Sequence, residues 1–331
     1  TALDAITTGD NNVGLGYNAG TTINTGYENT VVGSLAGAAI ADGYQNVALG
    51  YDAGSSLTSG NKNVLVGYKA GESLTSAVAH VAVGYEALAT ENTEAGQTVA
   101  IGYQALKTQN GPGSTMFNVA VGGSAGTNLT EGNTNVFIGA SSGNQVTTGD
   151  SNVLIGYIAG DNITTGETNI AIGRHALGTE NTGDRNIAIG HEALESLDFD
   201  GYGYNVAIGY QAGHDVNTGV KNTIVGSIAG DALTTSGNNV LVGYDSGGAT
   251  TIGDKNVFVG SEAGKTNIDG NASVALGYRA LYVQEPSSNV DTDNTGIGYQ
   301  AGLQITTGLR NTLLGSDTAA ALTTGNNNIL I

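Results

Sequence analysis

The chain has 331 residues and a formal net charge of −19, yet only 12% of its residues are charged, about half the usual share of roughly 25%. Glycine fills 54 positions and proline 2, and cysteine and tryptophan are absent. An acidic surface repels phosphate backbones, so nucleic acid is not an expected partner. No apolar run approaches the ~20 residues of a membrane helix, so no membrane contact is expected in this segment. Without cysteine there are no disulfide staples and no zinc ribbons.

Read in chain order, the elements are copies of one unit. Each short apolar run ends in a glycine: Gly16, Gly33, Gly50, Gly67, Gly84, Gly102, Gly122, Gly139, Gly156, Gly173, Gly190, Gly209, Gly226, Gly243, Gly260, Gly277, Gly298 and Gly315. These anchors step by 17 residues, except for 18 from Gly84 to Gly102, 20 from Gly102 to Gly122, 19 from Gly190 to Gly209 and 21 from Gly277 to Gly298. Such a period predicts an all-β, parallel β-solenoid with 17-residue coils, continuous over residues 1–331. The chain starts in the second half of a coil and stops at Ile331, one residue before the next anchor. A fragment of a longer chain, cut within a coil at both ends, is therefore expected.

Within a coil the first strand reads like Asn205-Val206-Ala207-Ile208-Gly209. Val and Ile alternate and so share a face, which is expected to fill the inside of the coil. The residue between them is also apolar or small, as at Ala48, Leu65, Phe137, Leu154, Ala171 and Phe258. A strand apolar on both faces is buried on both, which calls for a partner, most simply further copies of the chain around a symmetry axis. A Tyr-x-Ala-Gly corner follows, as at Tyr17-Asn18-Ala19-Gly20. A second, half-exposed strand is expected around the apolar residue seven after the anchor (Ile23, Leu57, Val146, Ile305), and a Thr-Gly turn closes the coil. The opening Asn recurs in 15 of the 18 coils, which predicts a stacked amide ladder.

The runs Asn205-Val206-Ala207-Ile208-Gly209 and Ser273-Val274-Ala275-Leu276-Gly277 resemble the β-roll head of trimeric autotransporter adhesins. Similar arrays occur in phage tail-fibre-like proteins and in large bacterial surface proteins. The resemblance covers essentially the whole chain, although the adhesin coil is shorter, near 14 residues. It implies a left-handed roll, a homotrimer, and the Val-x-Ile strand nearest the trimer axis.

The last corner residue is Leu instead of Gly at Leu88, Leu106, Leu177, Leu194 and Leu281, and all four overlong steps begin in such a coil. The excursions, near residues 89–98, 107–117, 195–204 and 282–293, hold Pro112, Pro286 and the candidate recognition residues Met116, Phe117, Asp198, Phe199, Asp200, Tyr202, Tyr204 and Tyr282. Loops on a rigid scaffold are where recognition commonly resides. Tyrosines directly after ten anchors form a constant-phase stripe, read as a structural ladder in preference to a sugar platform. The histidines His80, His175, His191 and His214 share no phase, and no carboxylate or Cys ligand evidently completes a metal site around them. Asp10, Asp150, Asp254 and Asp269 near turns lack calcium-roll spacing.

No nucleophile elbow or phosphate loop is present, and carboxylates are scattered over the coils, so neither an enzyme nor a cofactor is expected. The expected function is a structural or adhesive fibre segment outside the cell, self-associating and presenting surfaces to a host-cell or surface glycan or protein receptor. A virion tail fibre obeys the same physics. Ice or polysaccharide binding through Thr rows such as Thr147-Thr148 and Thr306-Thr307 is a minor alternative, because the rows break at every irregular coil.

Overall fold

A computed structural model gives the fold, and it describes all residues except 92–95, 112–115 and 287. The chain is an all-β parallel solenoid with 19 strands. It forms two compact units, Thr1–Glu167 and Thr168–Ile331. The first carries strands β1 (Val13–Leu15) to β9 (Val153–Ile155), the second β10 (Ile170–Ile172) to β19 (Ile329–Leu330). Within each unit every strand pairs in parallel with the next, and in regular coils the register is 17 residues, as in Val47↔Val64 and Val240↔Val257.

Each coil contributes one strand. Among the described residues there is no second strand around the apolar residue seven after the anchor; that stretch is a run of turns. Its backbone still bonds coil to coil, as in Thr130 N to Thr147 O at 2.8 Å and Asn217 N to Thr234 O at 2.8 Å. The stretch is bracketed on both sides by backbone in the left-handed region. In the coil opened by Asn46 this happens at Asp52 (φ 60°), two after the anchor, at the corner Gly54 (φ 57°) and again at Lys62 (φ 61°). Nor is the apolar residue of this stretch half-exposed: Ile23, Leu57, Val146 and Ile305 are fully buried.

The strand faces are opposite to the expectation. The central residue points inward: Ala48, Leu65, Phe137, Leu154, Ala171 and Phe258 have no solvent exposure. The flanking Val and Ile, including Val206 and Ile208, face outward and are half-buried or exposed. The opening Asn explains the reversal. It is buried, as at Asn46, Asn205 and Asn239, and it lies two residues before the strand centre, hence on the same face. Burying the amide column inside fixes the centre inward and turns Val and Ile out. Hydrophobic alternation alone could not say which of two apolar faces is internal.

Where consecutive coils open with Asn, the amide column is a hydrogen-bond network. Asn46 Nδ2 donates to Asn29 Oδ1 at 3.0 Å and to Gly60 O at 2.8 Å, while the Asn46 amide N–H reaches the same Asn29 oxygen at 3.0 Å. Asn205, Asn222 and Asn239 repeat this in the second unit. Buried amides are tolerated because each donor and acceptor is satisfied by the neighbouring coil.

Interior volume is shared between the strand centre and the corner. The Phe137 ring lies against the corners Gly126 and Gly143, where a Cβ would stand 2.5 Å and 2.6 Å from ring atoms. All five Leu corners occur in coils whose strand centre is Ala: Ala82, Ala100, Ala171, Ala188 and Ala275. Leu88, Leu106, Leu177, Leu194 and Leu281 are fully buried. Large corner with small centre, or small corner with large centre, keeps the coil close-packed. Each buried Leu contributes about 1.5–3 kcal/mol.

Candidate functional site

Outward Val and Ile make the most extensive apolar feature. On successive strands they stack in register, Val64↔Val81↔Val99 and Val66↔Val83↔Ile101 in the first unit and Val240↔Val257↔Val274 in the second. Val64, Ile101, Ile138, Ile208 and Val257 are each 36–38% exposed. These stacked β-branched side chains form an extended, partly exposed apolar surface.

The tyrosines after the anchors stack on one another. Tyr51, Tyr68, Tyr85 and Tyr103 form a run with centroid separations of 5.4, 4.9 and 5.3 Å and interplanar angles of 9–14°. Within this run both faces of Tyr68 and Tyr85 are spent on neighbouring rings. A sugar platform needs free faces, so this geometry favours the structural ladder. The Thr hydroxyls are similarly engaged: Thr147 Oγ1 donates to Thr164 O at 3.1 Å and Thr306 Oγ1 to Thr323 O at 3.2 Å.

The excursions divide. Met116 is fully buried and belongs to the core, whereas its neighbour Phe117 is exposed. Pro112 lies outside the described residues, and Pro286 is buried. In the excursion at 195–204, Leu197 is buried, Phe199 half-buried, and Asp198, Asp200, Tyr202 and Tyr204 exposed. The loop is fastened to the coil before it. Arg185 lies over the Tyr202 ring at 4.0 Å and donates to the Tyr204 phenol at 2.8 Å. Thr182 Oγ1 donates to Asp200, and Asp184 N bonds Gly201 O at 2.8 Å. Tyr282 is half-buried under Arg279, 5.2 Å from its ring centroid.

Beneath this loop Glu180 is fully buried. Its Oε1 accepts from the Gly183 and Asn181 amides at 2.8 and 3.0 Å, and its Oε2 is buried without a hydrogen-bond partner. Burial pushes this carboxyl up to about 7, against the opposing pull of those amides.

A second group of titratable side chains escapes a reading of the histidines alone. His214 and Glu195 each lie five residues after their anchors, Gly209 and Gly190. They therefore occupy the same position on consecutive coils, with His214 Nε2 3.1 Å from Glu195 Oε2. Glu192 completes a group of three ligand atoms all within 4.8 Å of one another. His175 Nδ1 stands 3.8 Å from Glu195, and His191 Nδ1 3.4 Å from Glu192. Counting phase from the anchors for His and Glu together would have found it. Burial opposes charge on His214, but the Asp215 hydrogen bond and the nearby carboxylates outweigh it and hold the imidazole above its ordinary value.

Comparisons with protein-family models, with curated proteins and with solved structures find no match to this chain. Its functional reading therefore rests on its own residues and on the resemblance of its repeats.

Proposed function

We propose that this chain is a structural segment of an extracellular fibre, a stiff repeat shaft that packs against further copies of itself along its Val/Ile face. Its outer turns and excursions then serve as attachment surfaces. The observation that carries this reading is the outward pair of β-branched columns, repeated on coil after coil in register. Aliphatic surface of this kind gains roughly 25 cal/mol for each Å² removed from water. A second copy presents the same repeat of rows and so the matching shape.

The resemblance of the repeats to trimeric adhesin heads adds the number three and the attachment role. Around a threefold axis each chain's apolar columns meet two neighbours, and the turns carrying Asp198, Tyr202 and Tyr204 offer polar and aromatic groups to a surface receptor, glycan or protein. Closed symmetry of this type confines the apolar face to the axis and keeps the particle soluble.

The test is the mass of the purified segment in solution by light scattering. Three chains per particle is the expected result. A monomer that persists as concentration rises would overturn the self-association reading.

A further inference from the structure

Positions two and five after the anchor carry ion pairs in both units, and in two of them a lysine stands between carboxylates: Lys69 between Asp52 and Glu72, and Lys265 between Asp245 and Glu262. Lys69 bonds Glu72 at 2.8 Å, Lys107 bonds Glu86 at 2.6 Å, and Lys265 bonds Asp245 at 2.6 Å. In the coils anchored at Gly190 and Gly209, no lysine fills the corresponding place: Glu192 and Glu195 stand there with His214. We propose that Glu192, Glu195 and His214 form a binding site for a divalent first-row transition ion, with zinc as the reference ion.

The hydrogen bonds orient the ligands for this task. His214 Nδ1 lies 2.6 Å from Asp215 Oδ1, so the proton of a neutral imidazole sits on Nδ1 and its Nε2 presents a lone pair. That lone pair points at a carboxylate oxygen 3.1 Å away. Two lone pairs at this distance repel unless a cation lies between or beside them, either a proton or a metal ion. A carboxylate–imidazole–metal relay is the arrangement in which an outer carboxylate fixes the ligating tautomer. Ligands of tetrahedral zinc at ~2.1 Å stand roughly 3.4 Å apart. The His214–Glu195 pair, at 3.1 Å, is close to that spacing, and a Glu192 oxygen lies within 4.8 Å of both.

His191 has a different part. Arg174 Nη1 approaches its Nε2 at 2.9 Å, which makes Nε2 an acceptor and leaves the proton on Nδ1, facing Glu192 at 3.4 Å. His191 does not ligate, and its Nδ1 is buried beside Glu192 without a hydrogen-bond partner. Gln211 Nε2 orients Glu192 by donating to its Oε2 at 2.8 Å. Two carboxylates and one neutral imidazole would balance the charge of a divalent ion, with the Arg174 guanidinium 3.9 Å from the other Glu192 oxygen, and water would fill its remaining positions. Among the described residues no other group of three His, Cys, Asp or Glu ligands comes together in this way.

The experiment is calorimetric titration of the full chain with zinc chloride alone, followed by the same titration of His214→Gln, Glu195→Gln and the distant control Glu72→Gln. The expected result is one ion per chain, affinity reduced about 10-fold or more by either ligand substitution, and no change in the control. Asp215→Asn is expected to weaken binding in the same direction through the tautomer. X-ray absorption of the zinc-loaded wild-type chain provides a readout independent of variant folding, and one imidazole nitrogen among oxygen neighbours is expected. No heat up to about 1 mM zinc, an affinity unaltered by His214→Gln, or an all-oxygen shell would each overturn the site and leave His214 as an imidazolium bridging carboxylates.

Discussion

Asn294 Nδ2 donates to Gln284 Oε1 at 3.0 Å, across the one place in the second unit where the amide column changes chemistry. The preceding opener is Ser273, which has no amide to offer. Gln284, seven residues after Gly277, turns inward and supplies one, while its own Nε2 donates to Ser273 Oγ at 2.8 Å and Asn267 Oδ1 at 3.1 Å. The first unit repeats the device: the opener Thr98 is bridged by Gln109, whose Oε1 accepts from Asn118 Nδ2 at 3.0 Å. The three non-Asn openers, His80, Thr98 and Ser273, all belong to coils with a Leu corner and a polar residue seven after the anchor. The buried Leu takes the apolar room, and the polar side chain joins the column.

Replacing Gln284 with Leu is therefore expected to destabilise the second unit in spite of adding apolar volume. Asn294 loses an acceptor, and Ser273 and Asn267 lose their donor inside the coil. Leaving such groups unpaired costs about 1–3 kcal/mol each. The paired substitution Ser273→Asn with Gln284→Leu restores the amide in the column and should recover part of the loss. Denaturant unfolding of the single and double variants measures the coupling. Equal stability of Gln284→Leu and the parent chain would refute the splice.

Glu180 makes stability depend on pH in an unusual direction. Its folded value is about 7, above the ordinary 4.5, so the folded state holds the proton more tightly than the unfolded state. Its neutral form is compatible with burial at low pH, and stability is lost as pH rises from about 4.5 through 7. The full effect is about 3 kcal/mol. Glu180→Gln is expected to remove this slope and to be the more stable chain at pH 8, measured by urea unfolding at several pH values. A parent chain whose unfolding midpoint is flat between pH 5 and 8 would contradict the buried, neutral carboxyl.

His80 works in the opposite sense. Its Nδ1 accepts from the Thr98 amide at 3.0 Å as a substitute for the Asn oxygen of the column. Protonation would place two donors face to face, and burial already holds the imidazole below its ordinary value, with Glu91 opposing. Its contribution is complete above about pH 6.5 and is lost as pH falls through the depressed folded value. Hydrogen-exchange protection factors of residues 80–91 and 96–100 should fall on acidification below pH 6, whereas in His80→Asn, which restores the column amide, they should not. Equal acid sensitivity of the two chains would exclude this account.

The coil length, the anchors, the amide ladder and the tyrosine stacking were legible because each repeats at fixed phase. What was not legible follows from particular residues. Val206 and Ile208 were read as internal because two apolar faces look alike to a period-2 pattern; the buried Asn205 decides between them, and only if its column is placed inside. The predicted second strand is bracketed by residues such as Asp52 and Lys62, whose left-handed backbone has no marker as plain as glycine. The Glu195–His214 pair was hidden by the 19-residue step from Gly190 to Gly209, which displaces equivalent positions unless each is counted from its own anchor. Met116 looked like a loop residue by position and is a core residue by burial.

The outward Val/Ile columns lead to a prediction that separates folding from assembly. Ile138 is 38% exposed at the end of its strand, and its side chain packs no part of the coil interior, which at that strand is filled by Phe137. Substituting Val136 and Ile138 together with Lys should leave the coil intact, because the inward Asn135 and Phe137 are untouched. Between copies, however, it would bury unpaired ammonium groups against aliphatic side chains, and a buried, unpaired charge costs several kcal/mol. The expected outcome is an unchanged far-UV circular dichroism spectrum with a fall in particle mass to that of one chain. The same substitution on the turn side, at Asn144 and Gln145, should change neither. If the Lys variant kept its multimeric mass, the Val/Ile face could not be the self-association surface, and the outward apolar columns would need a different partner.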